Sequence, residues 1–453
     1  MASESQPYER STEEDGPYEG GGQEEENNNG KLSWKERRFL ALLGLPAFGI
    51  SLAYTAATTY LPVILNQISG ATVTGIFIGI EGIFALFVPF LVGAWSDSLN
   101  TRIGGRMPFI LAGAALAVPA LIVMPFGRGS LAIIAVALVA FFIAYFVYYT
   151  PYYALFPDLV PGGERGRAQG AQGAFRSGGL LLMLVGGGLL LELWQPLPFL
   201  AGAIAIASVT ALFFFGARRR LGGKEGGQEE DGGGQEEDDA GSGQANWKAD
   251  WELVRDNGNI RVWMVANLMW EAAVGALRAF VVLYFTKGLG FSLVETAGAL
   301  ALVGVSAIVA APLSGRLADR YGHRPVMLIA VLGFGLGLLI PLFTTNPYFL
   351  IGILPVAFAA VVLQTLPFSV LMRFLPEDEH HAAGASLFNV SRGVGIVIGA
   401  MLAGGAVDLL RGVGFLAFGQ TSGFAAIFLV ASAFLLASSP LLFKMNMTSW
   451  REA

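Results

Sequence analysis

Gly93-Ala-Trp-Ser-Asp97-Ser-Leu-Asn-Thr-Arg102-Ile-Gly104-Gly105-Arg106-Met-Pro108 packs one acid, two arginines and three glycines into a short connection. An apolar run long enough to cross a bilayer lies on either side of it. A reduced copy, Gly315-Arg-Leu-Ala-Asp319-Arg320-Tyr-Gly322-His-Arg324-Pro325, returns in the second half, again between two apolar runs. The chain therefore reads as a duplicated bundle of membrane helices.

Working outward, apolar runs of roughly 20 residues fall near 38–62, 73–96, 107–126, 131–156, 172–194 and 197–216. After a polar interval they resume near 260–286, 292–316, 324–343, 347–374, 383–408 and 421–443. With 54% hydrophobic and 14% charged residues and a mean hydropathy of +0.59, the composition excludes an ordinary soluble domain. The expected fold is all-α: twelve transmembrane helices in two six-helix, pseudo-symmetric halves.

The halves are set apart by composition. Residues 1–30, rich in Glu, Gly and Asn, read as a disordered tail. Residues 31–217 are the first bundle, 218–258 an acidic, glycine-rich linker, 259–445 the second bundle and 446–453 a closing tail. Within the linker, Trp247-Lys-Ala-Asp-Trp251-Glu-Leu-Val is either a short helix on the membrane surface or plain linker. A polar tail without an apolar segment and cleavage site argues against a removable signal peptide.

Basic residues are retained on the cytoplasmic side. With the N-terminus inside, that side holds Lys31, Lys35, Arg37, Arg38, Arg102, Arg106, Arg165, Arg167, Arg218, Arg219, Arg220, Arg316, Arg320, Arg324, Arg373 and Lys444. The other side holds Arg128, Lys287 and Arg411. Both termini and the linker are expected in the cytoplasm of a multi-pass plasma-membrane protein.

Several function classes drop out. The net charge of -6 comes mostly from the two low-complexity segments, and no basic patch offers itself to nucleic acid. Without cysteine there are no disulfides, zinc-thiolate sites or iron–sulfur clusters. The histidines, His323, His380 and His381, lie in connections, and no phosphate-binding Gly-x-x-x-x-Gly-Lys loop occurs, so neither catalysis nor ATP-driven transport is expected, nor any cofactor or metal.

The repeats extend beyond the opening motif. Span four ends in Tyr153-Ala-Leu-Phe-Pro157-Asp158 and span ten in Leu371-Met-Arg-Phe-Leu-Pro376-Glu377. The next spans open with Phe175-Arg176-Ser177-Gly178 and Val390-Ser391-Arg392-Gly393. The pattern Gly-x-x-x-Asp then Arg-x-Gly-x-Arg, between spans two and three and again between eight and nine, resembles the signature loop of the major facilitator superfamily. The longer first version, with Tyr152-Tyr153-Ala154-Leu155-Phe156-Pro157-Asp158-Leu159, is similar to the sucrose transporters and the glycoside-pentoside-hexuronide cation symporters. The resemblance implies a secondary transporter that alternates access to a midplane site.

The signature loop also carries a gate. Asp97 can face the N-terminal end of span eleven, whose free amides are partly positive, and Arg102 and Arg106 can pair with Asp97, Asp158 or Glu164. With Arg167, and with Asp319, Arg320 and Arg324 against span five, these residues form a cytoplasmic latch or, alternatively, only fix topology.

Ionisable groups inside the hydrocarbon are costly and point to function. Glu81 lies mid-way along span two, and Glu271 and Arg278 in span seven. Seven residues put that second pair on one helix face about 10 Å apart, so both are expected to line a wet cavity and not to pair with each other. Arg176 and Arg392 occupy matched positions in spans five and eleven. Glu192, Glu295 and Asp408 fall near span ends and read as solvated.

The resemblance assigns the cavity to spans one, four, seven and ten. Those spans hold Tyr54, Thr55, Thr58, Thr59 and Tyr60; Tyr145, Tyr148, Tyr149 and Tyr152; Asn267, Trp270, Glu271 and Arg278; and Gln364, Thr365 and Ser369. Aromatic faces stack on sugar rings, and amides, hydroxyls and carboxylates bond their hydroxyls. The expected substrate-binding residues are Tyr54, Thr58, Tyr145, Tyr148, Tyr149, Asn267, Trp270, Glu271 and Gln364, although a tyrosine-rich span four is also what an interfacial belt requires.

Sodium-coupled members of the resembled branch carry acids one and two turns before Gly93, where this chain has Pro89 and Ala85. A proton is the expected coupling ion. An apolar setting disfavours a charged carboxyl, so Glu81 or Glu271 would carry it, with Arg278 beside them; hydrogen bonding to the solute and a structural ion pair are the other readings of each acid. The leading reading is a monomeric, proton-coupled transporter of a sugar or glycoside, such as sucrose or maltose, in a lipid bilayer. A drug or metabolite exporter and a non-transporting receptor of the same fold are the alternatives.

Overall fold

In the computed structural model the described residues are 34–99, 101, 105–159, 165–221, 247–375 and 381–446. The chain divides into Met1–Phe39, described only from Trp34 as the opening of a helix, and Leu40–Ala453, which carries the rest of the architecture.

The described elements are helices: α1 (Trp34–Thr55), α2 (Leu61–Ser98), α3 (Met107–Phe126), α4 (Leu131–Leu159), α5 (Arg165–Leu193), α6 (Leu197–Leu221), α7 (Trp247–Asp256), α8 (Gly258–Leu283), α9 (Leu293–Tyr321), α10 (His323–Gly337), α11 (Ile340–Phe343), α12 (Ile353–Met372), α13 (His381–Leu410) and α14 (Ala426–Lys444). Among the described residues eleven stretches are long and apolar enough to cross a membrane, and the first of them, Arg38–Gly93, is 56 residues long. At about 1.5 Å per residue that is two crossings, which Gly70 separates at φ 81°, ψ -179°, a conformation open to glycine alone. Twelve crossings result, six before α7 and six after it.

The surface inverts the soluble pattern. Leu91, Trp95, Phe215, Ile329, Phe343 and Leu409 are exposed along the helices, as hydrocarbon solvent requires. Polar side chains such as Glu81, Glu271, Asn267 and Thr58 are buried. The residues from Trp247 onwards form the helix α7, which decides between surface helix and plain linker in favour of a helix.

Within the first half α3 packs on α4 and α6, and α2 on α4; within the second, α8 packs on α13 and α14, and α12 on α9 and α10. The halves meet through α2 on α13 and α5 on α9. Small residues make those meetings close. A Cβ on Gly82 would collide with the carbonyl of Gly393, and one on Gly75 with the carbonyl of Ala400. Gly395 and Gly399 serve packing inside the second half, where a Cβ would meet the carbonyls of Leu268 and Ala272.

Duplication also shows in the helix ends. α1 continues into a π-helical turn over Ala56–Tyr60, and α8 into another over Tyr284–Gly288. Each is the extension of the first crossing of its half. A π-turn inserts a residue into the helical repeat and rotates the preceding turns relative to the succeeding ones. Tyr54 stands just before the first of these turns.

Candidate functional site

Tyr54, Glu81 and Arg278 meet where α1 and α2 face α8. The Tyr54 hydroxyl donates to Glu81 Oε1 and accepts from Arg278 Nη1. Arg278 Nη2 donates to Glu81 Oε2 at 2.5 Å, and its guanidinium lies 5.4 Å from the Tyr54 ring centroid. Glu81 is only 3% exposed, so its charge is held by these two partners and not by water. The triad ties the halves together at mid-depth.

Two turns back along α8, Glu271 takes a different partner, Arg392 of α13, at 3.8 Å between Oε2 and Nε. Glu271 and Arg278 thus share a helix face but not a bond, as their spacing predicts. Gln364 of α12 lies beside Glu271.

A cavity of about 420 Å³ opens at the triad. Its polar end is formed by Tyr54, Thr55, Thr58, Thr59, Arg278 and Gln364. The rest of its wall is aliphatic and aromatic, with Leu277, Val281, Val303, Phe334, Val356 and Phe428 from α8, α9, α10, α12 and α14 among the lining. The sequence reading found the polar end but missed this apolar wall, because nothing in an apolar residue marks it as facing a cavity and not a neighbouring helix.

The tyrosines of α4 divide by partner. Tyr145 lies 4.7 Å from Tyr54 between ring centroids, Tyr149 5.4 Å from Tyr145, and Tyr153 4.1 Å from Tyr149, a ladder leading away from the triad. Tyr148 and Tyr152, on another face, are fully buried and bonded to Thr210 Oγ1 at 3.0 Å and Leu43 O at 2.7 Å. Asn267 donates to Ser391 Oγ at 2.8 Å and Trp270 to Ser438 Oγ at 2.9 Å, both buried. Of the expected substrate residues the structure therefore brings Tyr54, Thr58 and Gln364 to the cavity, Tyr145 and Tyr149 to the ladder and Glu271 to the second ion pair. It places Tyr148, Asn267 and Trp270 in packing between helices.

Among the gate residues, Arg102 lies outside the described residues, as do the side chains of Asp97, Asp158 and Arg167. Arg106 donates to the carbonyl of Ala154 in its own half. Arg324 reaches the carbonyls of Leu442 at 3.1 Å and Phe443 at 3.3 Å, so it caps the end of α14 and not span five. Asp319 and Arg320 are exposed, and Arg320 lies 5.3 Å from the Tyr321 ring centroid.

At the opposite ends of the crossings the halves are joined again. Asp408 bonds Thr72, and Lys287 donates to Asn66 Oδ1 at 2.8 Å. Glu295 closes a capping box with Ser292 at the start of α9. Asp408 and Glu295, which read as merely solvated from the sequence, each hold a helix end.

A model of the Major Facilitator Superfamily matches the sequence over residues 12–182, 47–320 and 295–447. No curated protein matches it. Among solved structures, the nucleoside transporter NupG superposes with a TM-score of 0.71 at 14% identity, over 90% of this chain and 98% of that one. A bacterial homolog of the human lysosomal transporter Spinster, inward-facing and unoccupied, gives 0.71 at 15%, over 93% and 99%. A D-xylose-proton symporter gives 0.66 at 15%, over 90% and 96%. At such identities the likeness is one of fold.

Proposed function

This chain belongs to the major facilitator superfamily, a family of membrane transporters and not of enzymes, and we propose that it is a proton-coupled secondary transporter of a glycoside. The observation that carries the solute class is the division of the cavity. A sugar fits the polar end, where Gln364 can donate and accept hydrogen bonds and the Thr55 and Thr58 hydroxyls, whose own protons go to the carbonyls of Ser51 and Tyr54, can accept them. An apolar aglycone fits the wall formed by Val281, Val303, Phe334 and Val356. A volume of about 420 Å³ lies within the usual range for small-molecule sites.

The proton reading rests on two acid–arginine pairs. Glu271 is 4% exposed and holds Arg392 at 3.8 Å, longer than a strong charge-assisted bond of about 2.7–2.9 Å. A proton on Glu271 would free Arg392 and loosen α8 from α13. Glu81 is held more tightly, by Tyr54 and Arg278 together. Glu271 is therefore the better carrier, and Glu81 the tie that must break as the halves move apart. The distribution of arginines supports a cytoplasmic placement of the side bearing the termini. A D-xylose-proton symporter of the same fold supports this class of mechanism.

The predominance of apolar wall favours one second reading, an exporter of apolar metabolites or drugs. Uptake of labelled sucrose, maltose and 4-nitrophenyl β-glucoside into proteoliposomes, with and without an inward proton gradient, separates the two. Gradient-driven accumulation of the glucoside, lost in Glu271→Gln, upholds the proposal. Flux of none of the three under any gradient sinks the glycoside reading, and binding without flux would make the protein a receptor.

A further inference from the structure

The charges at the middle of the bundle do not balance. Glu81 takes Arg278 and Glu271 takes Arg392, while Arg176 of α5 has no carboxylate partner among the described residues. Arg176 is open to solvent and is flanked by Tyr145, Tyr149 and Tyr153, with Arg392 also in electrostatic range. Phe175-Arg176-Ser177-Gly178 and Val390-Ser391-Arg392-Gly393 open the fifth and eleventh crossings, and each arginine stands at the same offset from the start of its helix, so the duplication places the two at matched depth in opposite halves, within electrostatic range of each other.

Neither guanidinium is saturated. Each offers five N–H donors, and the one acid near Arg392 stands at 3.8 Å, with Arg392 itself 34% exposed at its side chain. Two like charges within electrostatic range of each other repel. An anion entering between them would relieve that repulsion, and a planar fork takes carboxylate or phosphate oxygens two at a time. The tyrosine ladder leads to this point from the cavity: it starts at Tyr54 on the polar end and reaches Tyr153 beside Arg176.

We infer that Arg176 and Arg392 form a subsite for an anionic group of the transported solute, a carboxylate or a phosphate, at the foot of the Tyr145–Tyr149–Tyr153 ladder. The inference rests on the transport reading and adds a charge to the glycoside. Binding an anion there competes with Glu271 for Arg392, so the solute's charge and a proton on Glu271 arrive together.

The test uses three probes that differ in one group: 4-nitrophenyl β-glucoside, its 6-phosphate and its 6-carboxylate. Affinities are measured by calorimetry on the full chain in lipid nanodiscs. One or two charge-assisted hydrogen bonds should make an anionic probe bind about 10–100-fold more tightly than the neutral glucoside. The ratio should fall to about 1 in Arg176→Gln and recover in part in Arg176→Lys, which keeps the charge but not the fork. The better of the two anionic probes identifies the group as phosphate or carboxylate. Equal affinities in the wild type, or a preference that survives Arg176→Gln, overturn the subsite and leave the glycoside reading standing. Binding of none of the three overturns both.

Discussion

Asp408, at the end of α13, accepts hydrogen bonds from the backbone N–H of Thr72 at 2.8 Å and from its hydroxyl at 2.6 Å. A carboxylate of one half thus caps the helix that resumes after Gly70 in the other half, where free amides are partly positive. The bond holds the halves together on the side away from the termini.

Asp408→Asn and Thr72→Val should each favour opening on that side. The bond is exposed, so the gain is a few-fold in the open population and no more. The chain contains no cysteine, so a single cysteine at Ser69 reports directly. Its labelling by an impermeant maleimide should speed up in both variants, and an unchanged rate would show that the cap does not hold the gate.

Removing one member of the mid-depth triad should cost more. Glu81→Gln leaves Arg278 without its acid in a site where Glu81 is 3% exposed, a loss of about 3 kcal/mol by the usual behaviour of broken buried pairs. Melting in detergent should show a marked fall. Adding Arg278→Gln to Glu81→Gln should recover much of it while transport stays lost; a double variant no more stable than the single would mean that the pair is not coupled.

Glycine contacts within and between halves should behave differently. Gly399→Ala puts a methyl into the Ala272 carbonyl inside the second half and should lower the melting temperature. Gly82→Ala meets Gly393 across the halves and can be relieved by their separation. It should change cysteine accessibility and transport rate with a smaller thermal penalty. Equal thermal losses would argue against a movable contact.

Cavity and packing residues should likewise separate in kinetics. Gln364→Ala should raise KM for the glucoside about 10-fold with little thermal effect, as loss of a solute hydrogen bond does. Asn267→Ala removes the buried bond between α8 and α13 and leaves the Ser391 hydroxyl only its own-helix carbonyl partners, and should lower stability first. The two predictions are checked together by uptake kinetics and melting curves, and a KM effect from Asn267→Ala at unchanged stability would return that residue to the solute site.

Much of the site was legible because charge inside a membrane is costly wherever it occurs: Glu81, Glu271 and Arg278 stand out against their apolar surroundings without reference to any neighbour. Tyrosines carry no such signal. Tyr145 and Tyr148 are equally amphipathic in the sequence, yet one stacks on Tyr54 and the other is locked to Thr210. Three residues apart on a helix, they meet different neighbours, and only the placement of α1 and α6 around α4 decides which is which.

The sequence by itself determined the all-helical fold, the twelve crossings and the duplication, because hydrocarbon solvent admits few solutions: a helix of fixed length wherever some 20 apolar residues run together. Partnership belonged to the tertiary structure alone. That Glu81 takes Arg278 from 197 positions away, that Glu271 takes Arg392, and that Arg176 is left without an acid among the described residues follow from how two halves dock. Docking is set by glycine contacts between α2 and α13 whose partners lie hundreds of residues apart, and no local periodicity encodes them.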